Sequence, residues 1–167
     1  MGRKNKFMNI ESMLKGRMAE TLVEELLRQS ENIVYRFGYE AIVQNLIQLN
    51  GSFDRNSDAG ERLRVMPDFI VIDKKGKPVF VEVKFRWNPE LHKDDYELLE
   101  KINNFWSAKL IFVNCSEQPY FRVSDPPYTE LRPLLQETSW EIDEKLYHTC
   151  EELVYKYLTP KLVSSQK

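Results

Sequence analysis

Two carboxylates and an ammonium stand out in this chain: Asp68, which follows Pro67, and the pair Glu82 and Lys84, which flank Val83. They sit on two short, β-branched and aromatic stretches, residues 67–73 (PDFIVID) and 78–86 (PVFVEVKFR), separated by the turn-forming Lys74-Lys75-Gly76-Lys77. These stretches are expected to pair as a hairpin. With the turn centred on Lys75 and Gly76 supplying a positive φ, paired residues have numbers that sum to about 150, so Asp68 falls opposite Glu82. Opposed Cβ atoms lie roughly 4.5 to 5.5 Å apart, and like charges placed there repel. Side chains two apart share a face, so Lys84 projects beside Glu82 while Val81, Val83 and Phe85 turn the other way. A hard divalent cation would relieve the repulsion, since Mg²⁺ takes oxygen ligands, commonly one or two carboxylates together with waters and substrate phosphate. A register slip of one residue would throw the two carboxylates onto opposite faces.

A third carboxylate comes from upstream. Residues 13–29 place Ala19, Leu22, Val23, Leu26 and Leu27 at helical spacing. At about 100° per residue Glu20 falls only about 20° beyond Leu27, at the edge of the apolar stripe, whereas Glu24 and Glu25 point toward water. Glu20 is therefore the glutamate expected to reach the hairpin, and Gly16, one turn earlier, is expected to admit a close backbone approach.

Glu20, Pro67-Asp68 and Glu82-Val83-Lys84, in that order and on those elements, resemble the signature of the PD-(D/E)XK nucleases. The resemblance extends over residues 16–114. It implies an α/β fold with a restriction-endonuclease-like αβββαβ core, a central mixed sheet flanked by helices, here with an added C-terminal helix. It also implies hydrolysis of phosphodiester bonds in nucleic acid, with Glu20, Asp68, Glu82 and Lys84 as the catalytic set. Asp68, Glu82, the Val83 carbonyl and Glu20 would hold Mg²⁺, for which Mn²⁺ would substitute, and Lys84 would orient water or stabilise developing charge. Within that superfamily, residues 16–27 (GRMAETLVEELL) followed by Val34-Tyr35-Arg36 are similar to archaeal Holliday-junction resolvases, which extends the substrate expectation to branched or structured DNA.

Other elements must position these groups. Residues 32–37 read as a strand and 40–49 as a helix, while 51–64 (GSFDRNSDAGERLR) is a polar loop without period. Arg55, Arg62 and Arg64 in that loop, and Arg86 after the motif, are candidate substrate contacts. Pro89 and Asp94 open a helix that packs through Leu98, Leu99, Ile102 and Phe105. It leads to a buried strand at 108–114 in a right-handed βαβ step that leaves the Lys84 strand near the sheet centre. A further strand is expected at 118–123, an irregular connection through Pro126, Pro127 and Pro133, and an amphipathic helix over 141–158. That helix would present Ile142, Leu146, Cys150, Leu153 and Tyr157 on one side. Trp140, Tyr147 and Tyr155 are core residues or a dimer contact.

Composition limits the alternatives. With 167 residues, 42% hydrophobic and 30% charged, the chain suits a single nuclease-like domain, 1–167, with a core at about 13–124 and the C-terminal helix at about 139–158. A net charge of −2 argues against indiscriminate polyanion binding by the whole surface. Cys115 and Cys150 read as buried thiols, and His92 and His148 show no zinc spacing. No apolar run has the length of a signal peptide or membrane span, so a cytoplasmic protein is expected. The expected partners are nucleic acid, DNA ahead of RNA, and no membrane, with a homodimer as a further option. The alternative function is a non-catalytic nucleic-acid-binding or assembly module on the same scaffold. An enzyme for a small phosphorylated substrate would want a Gly-rich phosphate loop, which is missing.

Overall fold

A computed structural model describes residues 3–38, 54 and 56–160, the first seven of these as backbone only. Helix α1 (Arg3–Gln29) leads to strand β1 (Ile33–Arg36), then to a short helix α2 (Asp58–Arg64) and the hairpin β2 (Phe69–Ile72) and β3 (Pro78–Phe85). Helix α3 (Lys93–Trp106) crosses to β4 (Lys109–Val113), followed by β5 (Phe121–Ser124), β6 (Arg132–Pro133), a 3-10 turn at Leu134–Gln136 and helix α4 (Glu144–Leu158). The six strands form one sheet in sequence order. Among the described residues only the β3–β4 pair is parallel, so the sheet is mixed. The first six major elements run αβββαβ, as expected from the resemblance.

The hairpin register follows the summed-number rule: Phe69 pairs with Val81, Ile70 with Phe80 and Ile72 with Pro78. Gly76 adopts φ +77°. That left-handed conformation strains residues carrying a Cβ, and it lets the Gly76 N–H donate to the Asp73 carbonyl at 2.9 Å. Asp73 locks the turn further, one carboxylate oxygen accepting from the Lys75 and Lys77 amides at 2.8 Å each.

The sheet separates two cores because strand side chains alternate between its faces. On one face Val81, Val83, Phe69, Val71, Ile111 and Val113 pack with Ala19, Val23, Leu26 and Leu27 of α1 and with Tyr147, Cys150 and Val154 of α4. On the other, Leu110 and Phe112 meet Leu99 and Ile102 of α3, with Val65 and Tyr128. Each fully buried Leu, Ile, Val or Phe contributes about 1.5 to 3 kcal/mol relative to exposure, so both layers are substantial. Glu82 and Lys84 share the α3 face, being in register with Leu110 and Phe112.

Several expectations are corrected. Helix α1 starts ten residues before the apolar pattern does, because an exposed helical turn needs no core contact; a Lys15–Glu11 pair at 2.9 Å supports it. Gly16 approaches no backbone, and a Cβ built there meets nothing within 4 Å. The polar stretch before the motif is helical over Asp58–Arg64, capped by the Ser57 hydroxyl accepting from the Gly60 amide at 3.1 Å. Here a cap, rather than apolar periodicity, marked the helix. On α4 the buried face is Tyr147, Cys150, Glu151, Val154 and Leu158, rotated from the expected stripe; Leu153 is only half-buried and Tyr157 is exposed. Trp140 and Tyr147 are core residues, which leaves Tyr155 alone of the three on the surface. Strand β6, paired to β5 at Arg132 and Pro133, went unforeseen since proline is tolerated only at such an edge. The helix expected at 40–49 lies outside the described residues. Among the described residues no helix is long and apolar enough to cross a membrane.

Candidate active site

Asp68 lies one residue before β2, where the ladder has just ended. Its backbone carbonyl accepts from the Phe37 and Gly38 amides at 2.8 and 3.2 Å, fixing the exit of β1 against it. Its side chain continues the hairpin register, with Oδ2 accepting from the Val83 amide at 2.8 Å. Glu82 is buried and its Oε1 lies 2.8 Å from Lys84 Nζ. The two carboxylates and the ammonium thus meet on one face.

These groups line a cleft of about 340 Å³. Helix α1 contributes Arg17 and Glu20, β1 contributes Arg36, α2 contributes Arg64, and Leu98 and Ile102 of α3 form an apolar wall. Arg36 is placed by Glu24, which is buried and ion-paired to it and also accepts from Arg28 at 2.6 Å. Glu24 was expected to point to water, and the correction has a simple cause: a buried carboxylate requires a partner, and β1 delivers one. Glu25 is half-buried and accepts from Gln29 at 2.9 Å.

The electrostatics reflect the crowding. Burial pushes the Asp68 carboxyl well above the usual carboxylate range; the charges of Glu82 and Glu20 add to this, and the Val83 amide and Lys84 oppose it. Burial likewise raises Glu82, against the attraction of Lys84. For Lys84, burial alone would lower the pKa, but Glu82 and Asp68 reverse that and leave it above the ordinary value, so the amine keeps its proton. Tyr128 stands behind the site. Burial and the Glu82 charge push its phenol up to about 12, and its hydroxyl donates to the Ala108 carbonyl at 2.6 Å.

The donor set suits a hard cation. Two carboxylates held together in a poorly solvated cleft match the protein share of a typical Mg²⁺ site, with waters and phosphate making up the remainder. Among the described residues no three His, Cys, Asp or Glu side chains already form a metal cluster, so Glu20 lines the cleft without closing a three-carboxylate cage. Nothing in the set favours a softer metal.

The candidate substrate contacts divide. Arg64 reaches the cleft. Arg62 lies over the Phe105 ring, 5.3 Å from its centroid, and Arg86 is bound by Asp95, with its Nε at 2.9 Å from that carboxylate; neither lines the cleft. Arg55 lies outside the described residues. Arg17 and Arg36 join Arg64 instead. Arg36 carried a signal in the sequence, since it falls two residues after Val34, on the inward face of a strand, where a lone arginine calls for a partner.

No family model matches the sequence, and no curated protein matches it. Among solved structures, Hjc of Archaeoglobus fulgidus, a Holliday junction resolvase from an archaeal hyperthermophile, is similar at 17% identity, covering 82% of this chain and 96% of that chain, with a TM-score of 0.38. The assignment of an α/β fold with an αβββαβ core rests on strand order and register within the molecule itself.

Proposed function

We propose that the chain, taken as one nuclease-like domain, is a metal-dependent nuclease that hydrolyses phosphodiester bonds, with DNA ahead of RNA as its substrate and branched or structured DNA within its range. The observation that carries this reading is the convergence of Asp68, Glu82 and Lys84 in a cleft whose other polar lining is Glu20 and three arginines. Asp68 and Glu82, with the Val83 carbonyl, would hold Mg²⁺ or Mn²⁺, and Glu20 would join through water. Such an ion supplies a nucleophile at neutral pH and positive charge opposite the phosphate.

The chain's own residues do the rest. Arg17, Arg36 and Arg64 receive the phosphate backbone, and the Glu24 carboxylate holds the Arg36 fork in one orientation. Lys84 stabilises charge developing on the phosphate oxygens or orients the attacking water. The Val83 amide orients Asp68. The non-catalytic alternative gives no reason to retain two repelling carboxylates beside a lysine.

The test is cleavage of supercoiled, linear, single-stranded and branched DNA and of RNA with Mg²⁺ or Mn²⁺, beside the Glu82→Ala protein. Wild type should cleave at least one substrate, and the variant should be slower by roughly 10²-fold or more, the scale of losing a principal charge-stabilising group. Equal rates in both proteins, or no cleavage by either, would sink the reading.

A further inference from the structure

The three tryptophans of the chain have different surroundings. Trp140 is buried, with the Lys109 ammonium over its ring, and Trp106 stands edge-on to Phe37 and Phe80. Trp87 is 44% exposed, and among the described residues no other aromatic ring packs against its indole. Its backbone is nonetheless fixed. The Arg86 amide donates to the Val113 carbonyl at 3.0 Å and the Cys115 amide to the Trp87 carbonyl at 3.4 Å, which carries the β3–β4 pairing past the end of β3. A flat apolar ring is thus held in place with one side open to solvent, an arrangement that suits a flat partner.

The indole borders a groove of about 360 Å³ that continues the active-site cleft along the same two elements. On α1, Glu11, Ser12 and Lys15 line the groove, and Arg17 and Glu20 line the cleft; on β3 and its extension, Phe85, Arg86 and Trp87 follow Glu82 and Lys84 of the cleft. Trp87 comes three residues after Lys84, so their Cα atoms are at most about 11 Å apart. The charges of the two sites differ. Lys15 Nζ lies 2.9 Å from Glu11 and Arg86 Nε lies 2.9 Å from Asp95, so both cations of the groove are matched by a carboxylate. The cleft instead gathers Arg17, Arg36 and Arg64. A nucleotide is divided in the same way, into an anionic phosphate and an uncharged flat base.

We infer that the groove seats one unpaired base of the substrate strand, stacked on Trp87, while the phosphate of an adjoining nucleotide lies in the cleft. The inference rests on the nuclease reading and narrows its substrate. A base inside a duplex is already stacked and paired and does not reach the indole, so the strand must be single, or splayed at a branch, beside the point of cutting. Every base has a π-face, so stacking on Trp87 selects for strand state and tolerates any sequence.

Tryptophan fluorescence reads the groove without cleavage, so a failure here is distinct from a failure of the nuclease reading. A single-stranded oligonucleotide should quench the emission of the Glu82→Ala protein. Adding Trp87→Phe should remove most of that quench yet keep the affinity in filter binding within about 3-fold, since a phenyl ring still stacks. Adding Trp87→Leu instead should weaken single-strand binding roughly 10-fold, with duplex binding and circular dichroism unchanged. Should the Trp87→Leu protein fail to fold, the Trp87→Phe comparison decides alone. No quench in the parent, an undiminished quench with Trp87→Phe, or equal losses on single strand and duplex with Trp87→Leu would overturn the proposal. Equal quenching by a free mononucleotide at the same concentration would overturn it too, by making the groove a small-ligand site.

Discussion

At the scale of single residues, the central tension is between Asp68 and Glu82, both with carboxyl pKa values raised by burial and Asp68 raised further by its acidic neighbours. A carboxyl whose folded pKa lies above its unfolded value destabilises the fold at neutral pH, and the loss is recovered as pH falls through the folded value toward the unfolded one. Without divalent ions, this pair should therefore make wild type melt higher as pH is lowered from neutrality toward the unfolded carboxyl range. Asp68→Asn, which can still accept the Val83 amide through its carbonyl oxygen, should flatten this dependence and stabilise the neutral-pH protein by about 1 kcal/mol, the scale of removing opposed like charges. Added Mg²⁺ should raise the melting temperature of wild type by mass action but not that of Asp68→Asn. A melt of the variant identical to wild type in pH and Mg²⁺ dependence would refute the account.

At the scale of elements, two positions separate local from tertiary demands. Gly16 lies inside α1 with open space around its missing Cβ, so Gly16→Ala should stabilise the protein by about 0.5 to 1 kcal/mol in urea unfolding. Gly76 holds φ +77° in the hairpin turn, and Gly76→Ala should destabilise by about 1 kcal/mol. The far end of the sheet is tied by a different device. Glu137 is buried and accepts from Lys109 at 2.7 Å on β4, from Arg132 at 2.8 Å on β6, and from the Ser139 amide at 2.9 Å. Burial alone would raise its pKa, but the bonds from Lys109 and Ser139 and the Lys109 charge bring it from 4.5 down to about 2. A depressed carboxyl adds stability that is full above pH 4.5 and is lost as pH falls toward 2. The gap is worth about 3 kcal/mol. Glu137→Gln should lose much of that near pH 7 and show a shallower acid limb in denaturant titrations from pH 7 to 2.

At the scale of the molecule, a chain of net negative charge gathers four cations in one cleft. The net charge is −2, yet Arg17, Arg36, Arg64 and Lys84 all line the cleft. Long-range attraction should be weak and local contacts should dominate. Filter binding of DNA by the Glu82→Ala protein should show log K falling with log[salt] at a slope no steeper than about −4, as four phosphate contacts allow. A much steeper slope would place the nucleic acid on some other surface. Arg36→Ala should weaken binding by roughly 10-fold, about 1.4 kcal/mol, by removing one oriented fork.

The sequence by itself determined the hairpin, its register and the face shared by Asp68, Glu82 and Lys84, because the period-two alternation and the turn glycine act within twenty residues. It also determined the αβββαβ order, hence the mixed sheet with β3 inside it, but neither α2 nor β6. Tertiary structure alone decided which side chains arrive from distant elements. Glu24 is buried because Arg36 comes across from β1, while Arg62 and Arg86 are occupied by Phe105 and Asp95 rather than by the cleft. The face that α4 presents was settled the same way, by the α1 and β5 side chains against which Tyr147, Cys150 and Val154 pack. Periodicity fixes which residues share a face; the neighbour that face meets depends on how separate elements pack, and no local pattern holds that information.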